Sequence, residues 1–173
     1  RLSWNKDLFD IIRIDHFRAF DTYWKVPAGE TTARNGEWIL GPAYDFFDYV
    51  YDKMPDLNLV AEDLGDLRPE VLELKDHYHM LGMRIAQFSF GDDMAKVDYK
   101  LPEFCIAYTG THDNAPVNGW YSDLSVGEKK HARAVMNHLQ IHGKTMADRQ
   151  IQWMLSSDAV LAIIMMEDFL ALG

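Results

Sequence analysis

The chain has 173 residues, of which 48% are hydrophobic and 13% aromatic, enough apolar material to bury a core and too much for a disordered polymer. Its 17 Lys and Arg against 27 Asp and Glu give a formal net charge of −10, which repels a phosphate backbone and argues against nucleic acid as a partner. A single cysteine, Cys105, excludes an intrachain disulfide and leaves a reducing cytoplasm as the default compartment.

In chain order, Arg1 to Asp7 carries neither an initiator methionine nor a basic-then-apolar signal, so the sequence reads as starting inside a longer protein. Phe9 to Asp15 is an apolar run of strand length ending on an acid. A long connection follows from Arg18 to Pro55, rich in Gly, Thr, Trp and Tyr; connections of that length in a compact domain are usually functional. Leu59 to Asp63 is the second strand. Asp66 to Tyr78 reads as a helix, with Pro69 in its first turn, Val71, Leu72 and Leu74 as its apolar stripe, and Gly82 as its stop.

Met83 to Phe90 is the third strand, followed by a turn at Gly91-Asp92-Asp93 that could touch a ligand, and Phe104 to Asp113 is the fourth. Ser125 to Gly143 has helix punctuation: Ser125 as N-cap, Glu128 three residues on, and Gly143 as terminator. Asp148 to Ser156 is a further helix, expected to pack Ile151, Met154 and Leu155. Val160 to Asp168 closes the series. Within it, Ala159 to Met166 is the most apolar stretch, yet it falls far short of the roughly 18 residues a membrane helix needs. It reads as a buried strand, and no membrane partner is expected.

Alternating strands and helices predict a parallel α/β architecture, with near-continuous apolar runs as in strands covered on both faces. Acids at the C-terminal ends of several strands, Asp15, Glu62 and Asp113, favour a barrel with chemistry collected at that rim. No glycine-rich loop follows a strand, which counts against a nucleotide-binding sheet. Five strands do not close an eight-stranded barrel, which typically takes about 250 residues. The expectation is therefore an incomplete (β/α)8 barrel spanning residues 1–173 as one partial domain.

Three acids carry the chemical reading. On a strand Arg13 and Asp15 share a face, and a guanidinium there favours the ionised form a nucleophile needs; the alternative is a strand-end ion pair. Glu62 directly follows an apolar strand, where partial desolvation suits a general acid. The competing role of helix cap falls to Asp66. In the run Tyr108 to Asn114, His112 and Asp113 could grip sugar hydroxyls and stabilise an oxocarbenium ion, or the segment could simply be a turn. Retaining glycoside chemistry needs two carboxyl groups about 5–5.5 Å apart, and neighbouring barrel strands supply that spacing.

These segments resemble glycoside hydrolase family 77, the 4-α-glucanotransferases of the α-amylase clan. Arg13-Ile14-Asp15-His16-Phe17-Arg18 is similar to its fourth-strand nucleophile motif, and Ala61-Glu62-Asp63-Leu64-Gly65 to its fifth-strand acid/base motif. Tyr108 to Asn114 is similar to its seventh-strand motif. Tyr23 to Pro27 and Asn35 to Pro42 resemble a loop that separates these transferases from ordinary amylases.

The resemblance implies that the chain holds strands 4 to 8 of the barrel with their helices, the first three strands and a C-terminal tail lying outside it. It implies Asp15 as nucleophile, Glu62 as acid/base and Asp113 as the third catalytic acid. Arg13, His16, Trp38, His112 and Asn114 would contact substrate. The implied substrate is a maltooligosaccharide or other α-glucan, handled without a metal or organic cofactor, and a complete site would need the remaining part of the barrel. Met165 and Glu167 stand where the family leads one to expect proline and glutamine.

Alternatives are hydrolysis by the same clan chemistry or a non-catalytic glucan-binding piece. His77 and His79 fall at a helix end without a third ligand of suitable spacing. His131, His138 and His142 read as a solvated helix face, and Trp120 as a core residue.

Overall fold

The computed structural model describes residues 1–90 and 100–173, so the expected turn at Gly91-Asp92-Asp93 lies outside the described residues. The chain divides into two compact units, Arg1–Gly82 and Met83–Gly173.

The first unit opens with α1 (Leu2–Lys6), β1 (Ile12–Ile14) and a 3-10 turn at Phe17–Phe20. β2 (Thr22–Lys25), β3 (Glu37–Leu40), α2 (Ala43–Lys53), β4 (Leu59–Ala61) and α3 (Pro69–His77) follow. β1 and β4 are parallel, with Ile12, Arg13 and Ile14 opposite Leu59, Val60 and Ala61. The expected loop from Arg18 to Pro55 is thus a built structure. β2 and β3 form an antiparallel ribbon with Trp24 opposite Trp38, and α2 buries Phe47 and Val50. Gly41 joins ribbon to turn: its N–H donates to the Asp21 carbonyl at 2.7 Å, and a Cβ there would sit 2.2 Å from the Phe20 carbonyl oxygen, so only glycine permits the approach.

Phe17, Phe47, Leu59, Ala61, Val71 and Leu74 anchor this unit's core, and Phe20, Phe46 and Phe47 interlock with ring centroids 4.8–5.0 Å apart, the edge and offset contacts that aromatic quadrupoles favour. Helix α3 begins after Arg68 with Pro69 in its first turn and no side-chain cap, so Asp66 is not the cap. Its carbonyl instead accepts from Arg18 Nη1 at 2.9 Å. Nor does Gly82 stop the helix; α3 ends at His77, His79 takes the left-handed φ of 52°, and Gly82 already opens the next strand. Leu72 is exposed, leaving Val71 and Leu74 as the apolar stripe.

β5 (Gly82–Ile85), a 3-10 turn at Ala86–Ser89, β6 (Cys105–Tyr108), α4 (Val117–Asp123), α5 (Val126–His138), α6 (Met146–Leu155), β7 (Leu161–Ile163) and α7 (Met166–Phe169) complete the order. These strands form one sheet in the order β5-β6-β7, with β6 and β7 parallel. Their core gathers Cys105, Ala107, Val117, Val135, Met136, Ala147, Trp153 and Met154, with Trp120 packed against it as expected.

Helix α5 carries the predicted capping box, Ser125 accepting from the Glu128 N–H while Glu128 accepts from the Ser125 N–H, but it ends at His138, well before Gly143. Helix α6 starts earlier than expected, under a second box of Thr145 and Asp148. It buries Met146, Ala147, Gln150, Trp153 and Met154, while Leu155, assigned to its core face, is exposed. His131 also departs from the solvated face: it is half-buried and its Nε2 has no solvent access.

β4 and β6 are buried throughout, as strands covered on both faces must be. β1 is only half-buried, and in β7 Leu161 and Ile163 are exposed at 43% and 37%, so the reading of Ala159 to Met166 as a buried strand does not hold for β7. Among the described residues no helix is long and apolar enough to cross a membrane.

Candidate active site

In the first unit the parallel register places Asp15 and Glu62 at matching positions, each one residue past its strand end. Hydrogen bonds carry the match beyond the strands. The Glu62 N–H donates to the Ile14 carbonyl at 2.9 Å, and the Glu62 carbonyl accepts from the Phe17 N–H at 3.2 Å. Between these two, the His16 N–H donates to Glu62 Oε2 at 2.7 Å. His16 reaches this bond by adopting a left-handed conformation, φ 48° and ψ 52°, uncommon for a non-glycine residue.

Asp15 is paired with Arg13, Nη2 to Oδ1 at 2.8 Å, on the same face of β1. The acid is 71% exposed and the arginine 29%, so the pair contributes orientation and local charge more than stability. Glu62 is half-buried.

Trp38 stands on the ribbon, 54% exposed, with the Arg18 guanidinium 4.5 Å from its ring centroid. Trp24 meets it edge-on at 5.3 Å and donates through Nε1 to the Ala33 carbonyl at 2.8 Å. Arg18 therefore ties the turn after β1 to the ribbon and, through its bond to Asp66, to the segment after β4.

In the second unit Gly110–Asn114 forms the turn after β6. Asn114 Oδ1 accepts from both the N–H and the hydroxyl of Thr111 at 2.9 Å, so the side-chain oxygen of this expected substrate contact is engaged in holding the turn. His112 and Asp113 project outward, 70% and 75% exposed, with Nε2 and Oδ2 at 3.4 Å. A small cleft of about 120 Å³ lies between this turn and Met165–Asp168, with His112 and Asn114 on its wall.

Two residues that sequence reasoning passed over build this turn's surroundings. Buried Gln87 donates to the Ala115 carbonyl at 2.8 Å, and fully buried Asp168 accepts from the Val117 N–H at 2.6 Å. Gln87 is a polar residue inside an apolar run, a signal that could have marked it, whereas Asp168 ends a run beside Glu167 and looks like ordinary strand-end polarity. Met165 donates its N–H to Thr109 Oγ1 at 3.2 Å, a bond that the expected proline could not make.

The 4-alpha-glucanotransferase family model matches residues 1–173, and the chain belongs to that family. It is 42% identical over 176 residues to a 4-alpha-glucanotransferase of Clostridium butyricum, covering 100% of this chain and 36% of that protein. It is 38% identical over 175 residues to a 4-alpha-glucanotransferase of Streptococcus pneumoniae, covering 99% and 34% respectively. The solved amylomaltase of Streptococcus agalactiae in complex with acarbose matches with a TM-score of 0.90 at 28% identity, over 99% of this chain and 35% of its own. The chain thus spans about a third of the length of these curated relatives.

Proposed function

We propose that the chain supplies the catalytic acids of a retaining 4-α-glucanotransferase acting on maltooligosaccharides and related α-glucans, and that its five strands outside the ribbon, β1, β4, β5, β6 and β7, are strands 4 to 8 of a (β/α)8 barrel. The observation that carries the catalytic reading is the register of β1 against β4, which brings Asp15 and Glu62 to matching strand ends joined through the His16 to Glu62 bond. Neighbouring strand backbones lie about 4.8 Å apart, which lets the two side chains reach one sugar from the same rim, as the carboxyl separation of about 5–5.5 Å in retaining sites calls for. The half-exposed apolar strands β1 and β7 support the barrel reading, since parallel sheets are covered on both faces. The chain's single cysteine, Cys105, is buried and donates its thiol to the Pro102 carbonyl, which accords with a cytoplasmic setting.

In this reading the Asp15 carboxylate, held by Arg13, attacks the anomeric carbon while Glu62 gives its proton to the departing glycosidic oxygen. A covalent glucosyl ester forms and the reducing-end glucan leaves. Glu62, now ionised, takes the proton from the 4-hydroxyl of an incoming glucan as that oxygen attacks the same carbon and releases Asp15. One α-1,4 bond is broken and one is made. The family resemblance gives Asp113 and His112 the role of holding sugar hydroxyls and offsetting a developing positive charge. The same resemblance makes Trp38, His16 and Asn114 substrate contacts, Trp38 through its half-exposed ring.

Incubating the intact protein with maltotriose tests this. Products longer than the substrate are expected, and products no longer than it would replace transfer by hydrolysis. Asp15→Asn and Glu62→Gln should each lower kcat by at least about 1,000-fold if the two act as one catalytic unit; unchanged turnover in either would remove that residue from the mechanism.

A further inference from the structure

The residue after Glu62 has no part in the double displacement, yet it is the more completely enclosed. The Asp63 side chain is 0% exposed and lies 3.1 Å from Nζ of Lys75, itself 10% exposed. Lys75 occupies the core-facing side of α3 with Val71 and Leu74, a place where an unpaired ammonium would be costly. A buried pair of this kind seldom stabilises a fold more than a well-packed apolar pair of equal volume, so stability alone does not account for it.

Gly82 adds a second observation: a Cβ there would stand 2.4 Å from Asp63 Oδ2 and 2.8 Å from Oδ1. The missing side chain is the space the carboxylate occupies. Glu62 itself is fastened on its other side, through its own N–H and carbonyl, to Ile14 and Phe17. The peptide that carries Glu62 is therefore held from two directions, by the segment bearing Asp15 and, one residue on, by α3.

We propose that Asp63, Lys75 and Gly82 are positioning residues for Glu62: the enclosed ion pair pins the end of β4 to α3 and so fixes where the Glu62 proton meets the leaving oxygen. This rests on the reading of Glu62 as acid/base. Misplacement of a reacting group by about 1 Å costs on the order of 100-fold in rate, and the loss should fall on proton transfer alone.

The test compares two donors in the intact protein, following the first turnover with maltotriose and with α-maltosyl fluoride. Fluoride leaves as an anion and needs no proton, so glycosylation of Asp15 by that donor bypasses Glu62. The variants are Asp63→Asn and the double change Asp63→Asn with Lys75→Gln. The second replaces the ion pair by two neutral amides and leaves no buried charge unmatched, so it reports even where the first does not fold.

The expected result is a loss on the order of 100-fold with maltotriose, a nearly unchanged rate with the fluoride, and an alkaline limb of the maltotriose pH profile, the one a general acid sets, displaced from the parent's. Equal losses on both donors, or no loss on either, would overturn the positioning role. Glu62→Gln is run beside them: if it too loses equally on both donors, the acid/base reading falls and this inference falls with it. If it shows the donor split while the Asp63 variants do not, only the positioning role falls.

Discussion

His16 is the residue on which the proposed carboxyl pair turns. Its left-handed backbone aims an N–H at Glu62, and a side chain in that conformation carries a penalty that the surrounding bonds must outweigh. Asn114 has the corresponding role in the turn after β6, spending one oxygen on two Thr111 donors. Asn114→Ala should destabilise the intact protein by about 1–3 kcal/mol, the cost of leaving such groups without partners. Denaturant unfolding of the parent and variant measures this, and a shift below that range would mean water replaces the bonds without loss.

The residue scale was also the most legible in sequence. Asp15, Glu62 and Arg13 were found because a charge at the end of an apolar run is conspicuous. Lys75 and Asp63 were hidden because each looks like ordinary helix or strand-end polarity until the packing that encloses them is known. His16 was picked as a side chain, whereas its backbone N–H makes the contact; histidine is enriched at left-handed φ, but from a base of only a few per cent, too weak a bias to mark one position.

At the scale of elements, helix punctuation was readable at the start of α5 and poorly readable at its end. Ser125 and Glu128 form the box their spacing predicts, because capping is a local exchange between side chain and backbone. Termination was misplaced since Gln140, not a glycine, takes the left-handed turn, with φ 57°. Ser125→Ala should cost about 1 kcal/mol.

The Glu128 carboxyl is held below the ordinary glutamate range, first by its bond from Ser125. A depressed folded-state value means this contribution is present above the ordinary glutamate range and is lost as pH falls through the lowered one. The penalty of Ser125→Ala should therefore shrink in acid, which unfolding followed at neutral and at acid pH would show. A penalty constant across that range would mean Glu128 adds nothing. The ribbon of β2 and β3 was missed for another reason: its exposed Trp, Tyr and Lys lack the alternation of a half-buried strand, and only pairing Trp24 with Trp38 makes it a strand at all.

At the scale of the whole molecule, each unit has its own aromatic or aliphatic centre, Phe17 and Phe47 in the first, Val135 and Met136 in the second. Truncating a fully buried phenylalanine costs about 3–5 kcal/mol and a methionine about 2–5. Phe47→Ala and Met136→Ala should fall in those ranges, and because the two clusters share no residue the double variant should equal their sum to within about 0.5 kcal/mol. Calorimetry or denaturant titration of the four proteins checks it, and a larger coupling would mean the cores communicate.

The ribbon between β1 and β4 has a consequence for how such a chain could diversify. Its tip, from Val26 to Gly36, lies outside both strands of the ribbon, so residues could be added or removed there without altering the register that aligns Asp15 with Glu62. The strands allow no such freedom, because a slip of one residue would turn every side chain to the opposite face. A change of length at the tip would thus reshape the surface beside the ribbon while the alignment of Asp15 with Glu62 stays where β1 and β4 set it.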